Sequence, residues 1–220
     1  MTRRTLKTLA LAMALFVLAG CAGSKSADRR ESKVTDNQET KISDDQELEV
    51  DDRRGLTFTD ARDGKTYATT KIGEQVWMAE NLNYAADSSW CYKDDPANCK
   101  KYGRLYTWDA AMKACPKGWH LPTREEWRAL GSAIGGEAGT KLKSKEWDGS
   151  DALGFNALPA GYWYNGDFCD MGSYAHFWTA TEHSYIHAYN RSLHSASSLL
   201  TWYSSLFYKD HAYSVRCVKD

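Results

Sequence analysis

The chain has 220 residues, with 28 basic against 29 acidic side chains and a formal net charge of −1. That balance supplies no basic field for nucleic acid and no acidic sink for cationic substrates. Hydrophobic residues at 42% and charged residues at 26% are globular values, and 9 Trp, 13 Tyr and 6 Phe make the chain rich in aromatic side chains.

Arg3, Arg4 and Lys7 precede an apolar run from Leu9 to Leu18, which ends in Leu18-Ala19-Gly20-Cys21. A basic start, an apolar stretch of about ten residues and small residues before the cut predict a secretory signal over residues 1–20, too short to span a bilayer. The Cys directly after Leu-Ala-Gly resembles a bacterial lipobox, which implies acylation of Cys21. Buried acyl chains, at about 0.8 kcal/mol per CH₂, anchor a protein stably. The expected location is the bacterial cell envelope, lipid-anchored, and Ala22 rather than Asp after the Cys implies the outer membrane. Residues 22–55 carry 7 basic and 10 acidic side chains and no aromatic. Such a stretch buries too little apolar surface to offset its ordering entropy, so residues 21–55 read as a lipidated Cys and a disordered tether.

From Leu56 to Asp220 the composition is that of one folded domain, holding 27 of the 28 aromatics. Leu56-Thr57-Phe58 is a first strand. Asp63-Gly64 is a hairpin turn signal. Thr66 to Ile72 is β-branched and aromatic, hence a second strand, and Val76-Trp77-Met78 a third. Two helices are predicted. The first runs from Tyr106 to Cys115 with Thr107 as N-cap; Trp108, Ala111, Met112 and Cys115 share a face, and Pro116 stops it. The second opens on the capping box Thr123-Arg124-Glu125-Glu126, buries Trp127 and Leu130, and ends at Gly135-Gly136. Beyond it, Phe155–Tyr164, Phe177–Thr181, Ala188–Leu193, Ser198–Tyr208 and Tyr213–Val218 read as strands, with a turn at Asn165-Gly166. Two helices among short strands and long loops give an α+β domain.

With Cys21 used for lipid, five cysteines remain, and an exported compartment favours disulfides. Cys91 and Cys99 flank a short Asp-Asp-Pro loop and form the first expected bridge. Cys115, at a helix end, and Cys217, in the last strand, form the second, closing roughly 100 residues at a gain of about 4–5 kcal/mol. Cys169 is left over, as a free thiol or one paired elsewhere. Zinc sites use cysteines two to four residues apart, and this chain has no such pair, so no metal is expected.

Seven segments occur in order: Asp63-Gly64-Lys65-Thr66-Tyr67; Gln75 to Tyr84, which includes Glu80-Asn81-Leu82-Asn83; Tyr102-Gly103-Arg104-Leu105-Tyr106-Thr107-Trp108; Cys115 to Thr123 with Glu126-Trp127; Gly154-Phe155-Asn156-Ala157-Leu158-Pro159-Ala160-Gly161; Phe177 to Glu182; and Ser214-Val215-Arg216-Cys217-Val218-Lys219. Their order and spacing resemble the Fibrobacter succinogenes major paralogous domain, the FISUMP family, from about Asp60 onward. The resemblance implies an exported protein, often a lipoprotein, and carries no molecular activity. It also implies a C-type-lectin-like domain with two helices, short antiparallel strands and long loops. In that fold a long disulfide joins the first helix to the last strand, which agrees with Cys115 and Cys217. The Leu121-Pro122-Thr123 and Glu126-Trp127 block further resembles the sulfatase-modifying enzymes.

Three functions are compatible with these features. Glycan binding would use aromatic faces against sugar rings; the candidate surface lies around Trp147, Tyr162, Trp163, Tyr164, Trp178 and Trp202, of which Trp178 reads as core, and Trp147, Trp163 and Trp202, in loops or beside turns, are the expected ligand-binding residues. The triplets with which calcium-dependent lectins hold their ion do not occur, so neither metal nor cofactor is expected. An enzyme is disfavoured: the copper site of the sulfatase-modifying group needs a close cysteine pair. His183 and His187 beside Glu182 lie in strand-like surroundings and read as surface histidines. A structural or protein-interaction module at the envelope is the alternative. The expected partners are the membrane, through the lipid, and a polysaccharide or surface protein; nucleic acid is not one.

Overall fold

The computed structural model describes residues 54–201 and 207–220. Cys21, the signal and most of the tether, and Trp202 lie outside the described residues.

The domain is α+β. Strands β1 (Arg54–Thr59), β2 (Thr66–Ile72) and β3 (Gln75–Met78) form an antiparallel meander. The turn between β1 and β2 is built on Asp60, which is fully buried and takes the Arg62 guanidinium at 2.7 Å. That hydrogen-bonded charge holds the Asp60 carboxyl below its ordinary range. In β2, Tyr67, Thr69, Thr70 and Ile72 are buried. Its β-branched and aromatic side chains suit a pleated, half-buried surface. β4 (Ser89–Trp90) pairs with β5 (Leu105–Tyr106). β6 (Trp119–His120) completes the sheet at one edge. β7 (Tyr162–Tyr164) and β8 (Asp167–Cys169) form a hairpin, as do β9 (Tyr174–Ser184) and β10 (His187–His194). β11 (Val218–Lys219) enters between β3 and β6, giving the order β1-β2-β3-β11-β6. The closing strand is shorter than predicted, because Tyr213 and Ser214 make single bridges to Tyr106 and Phe177 instead of joining the sheet. Phe155 to Gly161, predicted as strand, is mostly irregular, and of Ser198–Tyr208 the described ends make only single bridges at Thr201 and Tyr208.

The described residues form four helices, two more than predicted: α1 (Pro96–Tyr102), α2 (Trp108–Ala114), α3 (Arg124–Ile134) and α4 (Ala138–Leu142). In α1 the Asp95 carboxylate accepts the Ala97 N–H at 2.8 Å and Pro96 fills the first turn, a start signal the sequence carries in plain form. In α2, Thr107 occupies the N-cap without a side-chain bond. Ala111 and Ala114 are buried while Met112, expected inside, is 44% exposed. The capping box of α3 is complete, with both reciprocal bonds present, and Trp127, Leu130 and Ile134 face inward.

Both expected disulfides are present. Cys91–Cys99 ties the loop after β4 to α1, and Cys115–Cys217 ties the end of α2 to the residue before β11. The described residues hold no free cysteine, and Cys169 is 2% exposed.

One core cluster packs Trp77, Trp127, Phe155 and Phe177, with ring centroids 4.7 to 6.0 Å apart. Such pairs contribute about 0.5–1.5 kcal/mol each beyond their buried area. Trp147 belongs to this cluster. It is 5% exposed and its indole N–H donates to the Gly172 carbonyl at 3.1 Å, so the exposure expected of it does not hold. Above Phe155 lies the Arg216 guanidinium, 4.5 Å from the ring centroid and fully buried. It donates to Asn81 Oδ1 at 2.6 Å and to the carbonyls of Met78, Phe155 and Asn156 at 3.1, 2.5 and 3.0 Å. Three of the sequence blocks, around Asn81, Phe155-Asn156 and Arg216, thus meet at one buried cation. A fourth reaches it through Gly103. A Cβ at Gly103 would lie 2.6 Å from the Asn81 side chain, and its backbone, at φ +74°, is one that glycine adopts freely.

Candidate functional site

The hairpin β7–β8 turns at Asn165-Gly166, both with positive φ. Its base is pinned at Gly161, whose N–H donates to the Tyr174 carbonyl at 2.9 Å and whose missing Cβ would fall 2.3 Å from the Cys169 carbonyl oxygen. Successive side chains of a strand point to opposite faces. Tyr162 therefore lies against His176, at 5.4 Å, and Tyr213, at 5.8 Å. Trp163 turns the other way and stacks on Trp90, centroids 4.5 Å apart and planes within 10°. In β9 the alternation sends Ala175 and Phe177 into the first core cluster and leaves Tyr174 and His176 on the opposite face. Tyr174 is parallel to His176 at 5.2 Å and touches His194, its β10 partner, at 4.4 Å. Phe207 closes the group, 5.9 Å from His176 and 5.6 Å from Tyr213.

These rings, with His211 and Asp170, line a cavity of about 290 Å³. Burial pushes His176 down to about 3, and the nearby His211 adds to the effect. Its Nδ1 lies 2.6 Å from the Ser192 hydroxyl. Burial also lowers His211, against Asp210 and with His187, and Nδ1 of His211 lies 2.9 Å from the Tyr213 hydroxyl. Burial raises Tyr162, and raises Tyr213 well above the ordinary phenol range. At neutral pH these walls are therefore uncharged aromatic surface, and among the described residues of the lining Asp170 carries the one formal charge. Such a pocket fits an apolar ring face whose polar substituents point to the rim.

A second cavity, an open cleft of about 940 Å³, lies beside α2 and the β9–β10 turn. Asp87, Asp109, Glu182 and Asp210 line it with Lys113 and Lys209. Lys209 pairs with Glu182, and its ammonium sits 4.3 Å above the Trp108 ring.

Of the predicted ligand-binding residues, Trp147 is in the core, Trp163 is half-buried beside the pocket, and Trp202 is outside the described residues. His183 is exposed, but His187, read as a surface residue, is 8% exposed and packs on Tyr208. Of the pocket residues only Tyr162 belongs to the surface expected from the sequence, because the lining comes from three separate segments. Their one local signal is Tyr174 and His176, two apart just ahead of the strand predicted from Phe177. Among the described residues no group of three or more His, Cys, Asp or Glu is placed to hold a metal ion.

A family model, that of the Fibrobacter succinogenes major domain, matches residues 70–219. No curated protein and no solved structure matches the chain.

Proposed function

For a chain that belongs to the Fibrobacter succinogenes major domain family, we propose a lipid-anchored, non-catalytic role at the cell surface, in which the aromatic pocket holds a sugar ring of a polysaccharide. The observation that carries this reading is the pocket of Tyr162, Tyr174, His176, Phe207 and Tyr213 with a single carboxylate, Asp170, among the described residues of its lining. Its volume is at the low end of ligand clefts, which run from about 300 Å³, and suits one ring rather than a large cofactor. A binding role is favoured over acid–base chemistry by the state of His176. General bases work best with a pKa near the operating pH, and an imidazole pushed down to about 3 is a poor one. The anchor rests on Leu18-Ala19-Gly20-Cys21 and the basic, apolar leader.

The test is a glycan array followed by titration calorimetry on the full chain carrying Cys21→Ser. Loss of one ring stack at about 1 kcal/mol or more predicts that Tyr174→Ala or Phe207→Ala weakens binding about five- to ten-fold. Ring stacking is not screened, so raising salt should leave affinity nearly unchanged. Full-strength binding by both variants would place the ligand elsewhere. A protein-interaction module is the second reading, favoured by Tyr185, 91% exposed, and Ile186, 49% exposed, side by side in the β9–β10 turn. Loss of partner capture on Tyr185→Ser, with no glycan bound, would favour it.

A further inference from the structure

The pocket and the cleft share a wall. The turn at residues 207–211 contributes Phe207 and His211 to the pocket and Tyr208, Lys209 and Asp210 to the cleft. Its shape is fixed from three sides. The His211 N–H donates to the Tyr208 carbonyl at 3.0 Å, the Lys209 N–H donates to Ile186, and the Lys209 carbonyl accepts from Trp108. At the crossing point the Tyr208 ring touches His211, centroids 5.4 Å apart, and Tyr208 is 39% exposed. An aromatic surface therefore continues out of the pocket and over the wall. On the far side the lining changes character. Four carboxylates face two ammonium groups, and Asp87, on the outer loop, is exposed. Carboxylates accept from hydroxyl groups, and their excess of two negative charges opposes an anionic ligand.

We infer that pocket and cleft are two ends of one site, and that its ligand is an extended chain of several uncharged sugar rings rather than a single terminal sugar. One ring sits among Tyr162, Tyr174 and Phe207, the next crosses Tyr208, and later rings offer their hydroxyls to Asp87 and Asp109. This deepens the polysaccharide reading and rests on it.

The experiment measures affinity for β-1,4-linked gluco-oligosaccharides of two, four and six rings, and for a six-ring galacturonate, again on the full chain with Cys21→Ser. Near-ultraviolet circular dichroism checks the fold of each variant. The six-ring chain should bind at least about ten-fold more tightly than the two-ring one, and the galacturonate weakly. Tyr208→Ala should weaken the two-ring and the six-ring chain alike, Tyr208→Phe should keep both affinities, and Asp87→Ala, an exposed change, should reduce the gain from two rings to six. Tyr174→Ala should weaken both lengths. Equal affinity for two and six rings overturns the inference while the pocket stands, as does a length gain untouched by Asp87→Ala, or binding at every length untouched by Tyr208→Ala. So does galacturonate that binds as tightly as the six-ring glucan. Absence of binding by every oligosaccharide, or Tyr174→Ala with no effect at any length, overturns the pocket reading and the inference together.

Discussion

Replacing Arg216 with Met should cost about 3–5 kcal/mol of stability. The guanidinium is fully buried, with no carboxylate among the described residues within hydrogen-bonding distance, and burial pushes it down to about 9 from its ordinary value, with Glu80 and Asp151 opposing. It stays charged at neutral pH, and a fall of that size corresponds to about 5 kcal/mol spent on desolvation. Against this stand four charge-assisted hydrogen bonds, each contributing about 1.5–3 kcal/mol. Methionine removes the desolvation cost and retains much of the packing on Phe155. Three of the acceptors, however, are backbone carbonyls that no substitution can delete, and they would be left buried and unpaired. Orphaned groups of this kind cost about 1–3 kcal/mol each, which makes the loss exceed the relief. Lysine keeps the charge but offers it from one point, so Arg216→Lys should also destabilise, by about 2 kcal/mol or more. Urea titration followed by tryptophan fluorescence measures both variants, with an unchanged slope showing that the two-state comparison is sound. An Arg216→Met protein within about 1 kcal/mol of the parent would show that the carbonyls find other donors, and that the cation is not what gathers the three segments.

Cys115→Ser with Cys217→Ser should cost about 4–5 kcal/mol in the chain-entropy model, against about 2.5 kcal/mol for Cys91→Ser with Cys99→Ser, because the sequence separations are 102 and 8; denaturation that ranks them the other way refutes the assignment. His120 bonds Asp220 and Glu126, each at 2.7 Å. Burial opposes its protonation, but the two carboxylates prevail and raise its pKa above 6.5, so its contribution is complete below that pH and is lost as pH rises through the raised value. Glu126 is also opposed by burial, but Thr123 and His120 lower it below 4.5, so its contribution is present above that pH and is lost as pH falls. Thermal midpoints should therefore peak between about pH 4.5 and 6.5 for this pair, and His120→Gln should flatten the alkaline limb; identical limbs in the two proteins would dismiss the coupling. Acyl labelling should disappear in Cys21→Ser with release from the membrane fraction, whereas unchanged label would refute lipidation at that residue.

The elements readable in advance were those that a local rule specifies. Thr66 to Ile72 forms a strand because its side chains suit no other surface, and Thr123 with Glu126 starts α3 because each satisfies the other's backbone. α1 was equally well signalled by Asp95-Pro96, but the same residues read as the loop of a disulfide, and the bridge proved to close on a helix. Trp147 shows where local rules stop. Asp148-Gly149 marks a turn, and a turn suggests the surface, but the chain folds back so tightly that a Cβ at Gly149 would meet the Lys143 carbonyl at 2.1 Å, carrying the indole into the core. The pocket was illegible for a different reason: Tyr162, His176 and Tyr213 come together only through the register of β7, β9 and the last segment, which no single window of sequence contains.

The recognisable blocks and the pocket interleave without overlapping. Tyr162 follows Gly161, His176 precedes Phe177 and Tyr213 precedes Ser214, so these three pocket residues each stand one step outside a segment that holds the frame. A substitution at one of these three positions therefore exchanges a ring of the pocket while Arg216 and the carbonyls it gathers stay in place.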